Sequence, residues 1–314
     1  MKKFVKSIPI ATCGLSLALA ALGNLLRPLP HGDTIRYICG ALAFAILIIF
    51  AMKIIFDFPH AREEFKTPVP LSVLPTATMA TMLLSTYIRP YIGYIALSIW
   101  YAAVALHVFI ILVFIKRFVF GFKLGSVFPS WFIVGVGIVT ASVTAPAMGA
   151  FLIGQIAFYF GFVLYFVVLT LVVLRMNKVR VFPEPARKTV AIFTAPMGLL
   201  VVGYFSSFVG PEHVQTNPTL IYIMLAIAAI SYIYVSVMMF SLLKIKFYPT
   251  YAAFTFPYVI SATAFRLGAN FIATNHHGFD FLRIIADITM WIAVAVVLFV
   301  LQHYVRYFRF WLKY

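Results

Sequence analysis

Ten apolar segments follow one another along the chain, at 8–26, 34–56, 70–88, 92–115, 130–152, 154–175, 188–208, 218–243, 250–273 and 280–305, with short polar joints between them. A helix needs about 20 apolar residues to cross the hydrocarbon core of a bilayer. In lipid every backbone N–H and C=O must be satisfied within the protein, so segments of this kind fold as helices. The sequence predicts an all-α integral membrane protein with ten transmembrane helices, a single transmembrane domain over residues 1–314. Hydrophobic residues make up 64% and charged residues 10%, with a mean hydropathy of +1.04. A soluble domain carries about 25% charged residues. The first segment also has the look of a signal peptide, with Lys2, Lys3 and Lys6 ahead of an apolar run. We read it as a helix of the bundle, because it shares the pattern of the other odd segments.

The charge pattern fixes a topology. With the N-terminus inside and ten spans, the inner side holds Lys2, Lys3, Lys6, Lys53, Arg62, Lys66, Lys116, Arg117, Lys123, Arg175, Lys178, Arg180, Arg187, Lys188, Lys244, Lys246, Arg306, Arg309 and Lys313. The other side holds only Arg27, Arg36, Arg89, Arg266 and Arg283. Lys and Arg stay on the cytoplasmic side, so both termini are expected in the cytoplasm of a cell (inner) membrane. A net charge of +16 would suggest nucleic acid for a soluble protein. In a membrane protein it reports topology, and no nucleic-acid partner is expected.

Prolines divide the segments into two kinds. Pro9, Pro75, Pro146, Pro196 and Pro257 lie inside segments one, three, five, seven and nine, and no even segment has an internal proline. The odd segments also carry most of the Ser and Thr, while the even ones are greasy runs such as ALAFAILIIFAMKIIF. Proline lacks an N–H and clashes with the preceding turn, so each odd helix should kink or break. The freed carbonyls then need partners inside the protein. This predicts five helical hairpins, kinked helices within and straight helices facing lipid; a closed ring of the five would have an axis lined by small residues.

Charge is scarce within the inner segments. His107, Asp287 and Arg266 are the candidates for a titratable or anion-attracting group. His107 lies in an even segment, where a hydrogen bond between helices is the plainer reading. Asp287 follows Arg283 by four residues, the spacing of a local helix pair. Arg266, near the outer end of segment nine, can snorkel or draw anions to an outer mouth. His276, His277 and Asp280 share one short external loop that reads better as solvated than as a metal site. Cys13 and Cys39 lie in apolar segments as small buried residues. There is no nucleophile with a base, no phosphate-cradling loop and no HExxH helix. Nothing calls for a cofactor, a metal or an enzymatic activity.

Segment nine carries the most pointed pattern, YAAFTFPYVISATAF over 251–265, with Phe254 and Phe256 just ahead of Pro257. Together with GLSLALAALG over 14–23 and TAPMGLLVVGYFS over 194–206, the run AAFTFP at 252–257 resembles the tellurite-resistance/dicarboxylate transporter family. That family includes bacterial TehA proteins, fungal malate permeases and the slow anion channels of plant guard cells. The resemblance implies a quasi-fivefold ring of five helical hairpins around a central pore, and a homotrimer with one pore in each protomer. It also implies a phenylalanine of the ninth helix as pore gate, which falls on Phe256, with Phe254 as the alternative. The expected function is a passive anion channel or channel-like permease with an uncharged pore, moving inorganic or small organic anions. A carrier for C4-dicarboxylates such as malate is the alternative. A membrane-bound enzyme is the third and weakest reading.

Overall fold

The computed structural model describes residues 2–179, 182–209, 216–244 and 246–313, with side chains from 5 to 310 within those ranges. Arg180 and the side chains of Lys2, Lys3 and Lys313, all members of the charge pattern, lie outside them. The principal helices are α1 (Thr12–Leu26), α2 (Gly32–Phe56), α5 (Val139–Met148), α6 (Phe151–Lys178), α7 (Ala195–Phe208), α8 (Pro218–Leu242), α9 (Thr255–Asn275) and α10 (Phe281–Lys313). Between α2 and α5 runs Pro75–Phe114, which loses helical dihedrals at Gly93, where φ is 44° and ψ is −113°. Thr78 Oγ1 lies 2.8 Å from His107 Nδ1. A straight helix would hold those residues about 43 Å apart at 1.5 Å per residue. The run therefore folds back on itself at Gly93 into two limbs, α3 (75–92) and α4 (94–114). Only a residue without a Cβ adopts that φ cheaply.

Among the described residues, seven helical runs are long and apolar enough to cross a membrane, the folded run Pro68–Val119 counting as one of them. Thr12–Leu26 is apolar but shorter. The chain is thus an all-helical membrane protein. Within it, α1 packs on α3, α3 on α5, α5 on α7, α7 on α9, and α9 returns to α1. Side chains tie these neighbours: Tyr87 donates to the Ala20 carbonyl, Ser261 Oγ to the Thr194 carbonyl at 2.9 Å, and Thr255 Oγ1 reaches the Gly14 carbonyl at 3.5 Å. The helices α2, α4, α6, α8 and α10 pack on this cycle from outside. Their exposed large side chains, such as Phe44, Phe109, Phe160, Ile230 and Ile284, face away from it.

The prolines break the inner segments more than they bend them. Pro75, Pro196 and Pro257 stand in the first turns of α3, α7 and α9, and Pro9 lies in the turn before α1. Of the five, only Pro146 lies well inside its helix. A proline in the first turn gives up an N–H that has no intrahelical partner anyway. Each inner segment is accordingly broken in two. A short first piece precedes the main helix: Lys2–Ser7, Pro68–Val73, Trp131–Gly135, and the 3-10 stretches Lys188–Thr194 and Pro249–Phe254. At Pro146 the carbonyl released is that of Ser142, and Ser207 Oγ on α7 lies 3.0 Å from it as donor. Gly149, with φ of 67°, ends α5. The joint between segments five and six is therefore there, and Gly154 lies within α6. A Cβ on Gly154 would come within 2.6 Å of the Ala145 Cβ, so it serves close packing.

Candidate functional site

The breaks of the five inner segments meet at one level, and a cavity of about 60 Å³ lies there. Its wall comes from all five: Ala11, Gly14 and Leu17 from the first; Val73, Thr76 and Met79 from the second; Phe132 and Val136 from the third; Ile192 and Leu199 from the fourth; Ala253 and Phe256 from the fifth. No residue of α2, α4, α6, α8 or α10 takes part. The wall is apolar apart from the hydroxyls of Thr76, Thr189 and Thr250. Apolar cavities of this size stay dry, because water finds too few polar partners.

All five inner segments begin at this end of the bundle. Irregular backbone at membrane depth is tolerated where it is enclosed by protein or lines a cavity. Here the starts of α1, α3, α7 and α9 surround the space, and α5 starts just past Gly137. Among the described residues, no charged side chain stands in the cavity wall.

Phe256 is 7% exposed and faces the cavity. Phe254 is 1% exposed and turns the other way. It packs on Tyr251 at 5.7 Å between ring centroids, beside Met239, Leu243 and Phe299 of the outer helices. Two residues along a helix point about 200° apart, so both rings cannot share the axis.

The other residues singled out in the sequence scatter. Arg266 is half-buried near the far end of α9, its Nη1 3.5 Å from both the Leu25 carbonyl and the Met290 sulfur. His107 is fully buried against Thr78, joining α3 to α4. His276 meets the Tyr222 hydroxyl at 2.8 Å, and Asp280 takes Arg283 at 2.7 Å. That last contact corrects the expected pairing of Arg283 with Asp287: the guanidinium turns back to Asp280 and to Asn270 Oδ1, and Asp287 stays exposed. Asp280 and Arg283 are held together by the turn in which the Arg283 N–H donates to the Asp280 carbonyl at 3.0 Å.

Two buried lysines were not legible as such. Lys53 donates to Glu64 Oε1 at 2.5 Å and to the Ile8 carbonyl at 2.6 Å. Lys188 donates to the Lys246 carbonyl at 2.6 Å. Both stand at the end of the bundle where the inner segments begin: Lys53 shares a crevice with Pro249, two residues from the Tyr251 ring under Lys188. In the sequence they count only as two more loop-side charges.

The chain folds as a polytopic helical membrane protein whose inner helices wall a cavity. The chain belongs to the SLAC1 family, described as voltage-dependent anion channel, whose family model matches residues 6–305. Membership agrees with the resemblance read from segments one, seven and nine, and implies movement of anions across a membrane. A comparison with curated proteins gives no match.

Proposed function

We propose that the protein is a passive anion channel whose path runs along the axis of the inner helices and is closed by Phe256. In this reading the chain crosses the membrane ten times as five hairpins. The observation that carries it is the cavity walled by all five inner segments and by none of the outer ones, with Phe256 in its wall. A phenyl ring across a narrow uncharged path fills the bore and offers nothing to replace an ion's hydration, so the constriction dewets. The anion preference comes from the Lys-rich end, which concentrates anions without binding them tightly. Arg266 adds a weaker attraction at the opposite mouth.

Flux in proteoliposomes tests this reading against a C4-dicarboxylate carrier. A channel passes nitrate and other weakly hydrated anions faster than chloride, without saturation. Saturable malate uptake with countertransport would favour the carrier.

The Lys-rich end is the cytoplasmic one under this proposal. Single cysteines at Lys66 and Lys123 should be protected from an impermeant thiol reagent in intact cells, while one at Asp280 is labelled; all three sites are exposed in the fold. The reverse labelling would invert the topology. The homotrimer carries over from the family resemblance, and native mass spectrometry in mild detergent should find three copies. A monomer alone would remove that proposal.

A further inference from the structure

Phe256 lies just beyond the 3-10 stretch Pro249–Phe254, which is fastened to its neighbours at several points. Lys188 makes the most buried of these contacts. Its side chain is fully buried, and its ammonium lies 3.2 Å from the centroid of the Tyr251 ring while donating to the Lys246 carbonyl. Thr250 Oγ1 donates to the Pro185 carbonyl at 2.7 Å, and the Tyr304 hydroxyl to the Pro249 carbonyl at 2.5 Å. His303 stacks on the other side of the same region, 5.8 Å from Tyr251 between centroids. Lys188 itself opens the second 3-10 stretch, Lys188–Thr194. Both stretches wall the cavity, through Thr189 and Ile192 on one side and Ala252 and Ala253 on the other.

A 3-10 stretch within a helix is a common place for a hinge, because its hydrogen bonds are poorer than those of an α-helix. It rises about 2.0 Å per residue with 3.0 residues per turn, against about 1.5 Å and 3.6 for the α-helix. Rewinding the six residues Pro249–Phe254 as α-helix would shorten the stretch by about 3 Å and rotate α9 by about 120°. A rotation of that size carries the Phe256 ring off the axis.

We propose that Lys188, through its contact with Tyr251, is a positioning residue that holds Pro249–Phe254 in its 3-10 form and thereby keeps Phe256 across the path. The inference rests on Phe256 being the closure proposed above. Separation of the ammonium from the ring lets the stretch relax toward α-helix, and the Phe256 ring swings aside.

Anion efflux from proteoliposomes tests it with four variants: Lys188→Met, Lys188→Arg, Tyr251→Leu and Tyr251→Phe. Losing the cation or the ring should raise efflux several-fold with Phe256 in place. Lys188→Arg and Tyr251→Phe keep a cation over an aromatic face and should stay near the native rate. On a Phe256→Ala background, Lys188→Met should add nothing, since residues acting through one element are non-additive. An additive increase would overturn the proposal, as would folded Lys188→Met and Tyr251→Leu proteins that both stay closed. If Lys188→Met does not fold, the Tyr251 pair decides on the same terms. A silent Phe256→Ala removes the closure reading and this proposal with it. A conducting Phe256→Ala beside silent Lys188→Met and Tyr251→Leu removes the latch alone.

Discussion

Phe256→Ala is expected to raise anion conductance by an order of magnitude or more while the protein remains folded. The ring stands in the cavity wall among Ala11, Gly14, Ala252 and Ala253, side chains too small to refill its place. Removing it widens the path and takes away the apolar plug that keeps the constriction dry. A ring that served only packing would behave otherwise. Truncating a core phenylalanine costs about 3–5 kcal/mol and opens nothing. Phe254→Ala is the control, since Phe254 packs on Tyr251 and toward the outer helices. It should lose stability and stay closed. Opening by Phe254→Ala with Phe256→Ala merely unstable would shift the register by two residues. Two folded, closed variants would end the phenylalanine gate.

The second large effect is on stability, at the Lys53–Glu64 pair. Lys53 is 1% exposed and Glu64 27%. The pair, with the Ile8 carbonyl, ties the end of α2 to the chain entering α1. Glu64→Ala leaves an ammonium in the protein interior with one neutral acceptor. Breaking a buried pair in this way costs about 3–5 kcal/mol, and partial exposure of Glu64 places the expected loss near the lower end. Lys53→Met should cost less, because its stem still packs and Glu64 can turn toward water. Thermal unfolding in detergent separates the two. Equal losses, or a stable Glu64→Ala protein, would mean that solvent reaches Lys53.

The membrane class and the two kinds of segment were legible because each rests on a local property. Apolar length and hydropathy need no knowledge of the neighbours. Proline placement was legible too, but its meaning was not. Pro75, Pro196 and Pro257 looked central because the apolar segments continue through the short first pieces, and hydropathy does not register a change from 3-10 to α winding. Gly93 was hidden for the opposite reason: its importance is a dihedral angle rather than a composition. The cavity wall was the least legible part. Ala11, Gly14 and Leu17 follow an i, i+3, i+6 spacing, as do Val73, Thr76 and Met79, but the spacing marks a shared face only once the direction of the axis is known. Phe256 could be picked from Phe254 in the sequence only through the family resemblance. Lys53 and Lys188 escaped because burial of a lysine depends on the distant partners Glu64, Ile8 and Lys246.

The most direct measurement is of the path itself. In a Phe256→Ala protein with Cys13 and Cys39 replaced by alanine, single cysteines are placed at Ala11, Thr76, Ile133, Ile192 and Ala253, one on each inner segment. A charged, water-soluble thiol reagent is then added during single-channel recording in a planar bilayer. An axial path predicts that modification changes the anion current at all five positions and leaves it untouched at Leu106, Ile156 and Ile230 on the outer face. Current that responds at the outer positions and ignores the inner five would contradict an axial anion path.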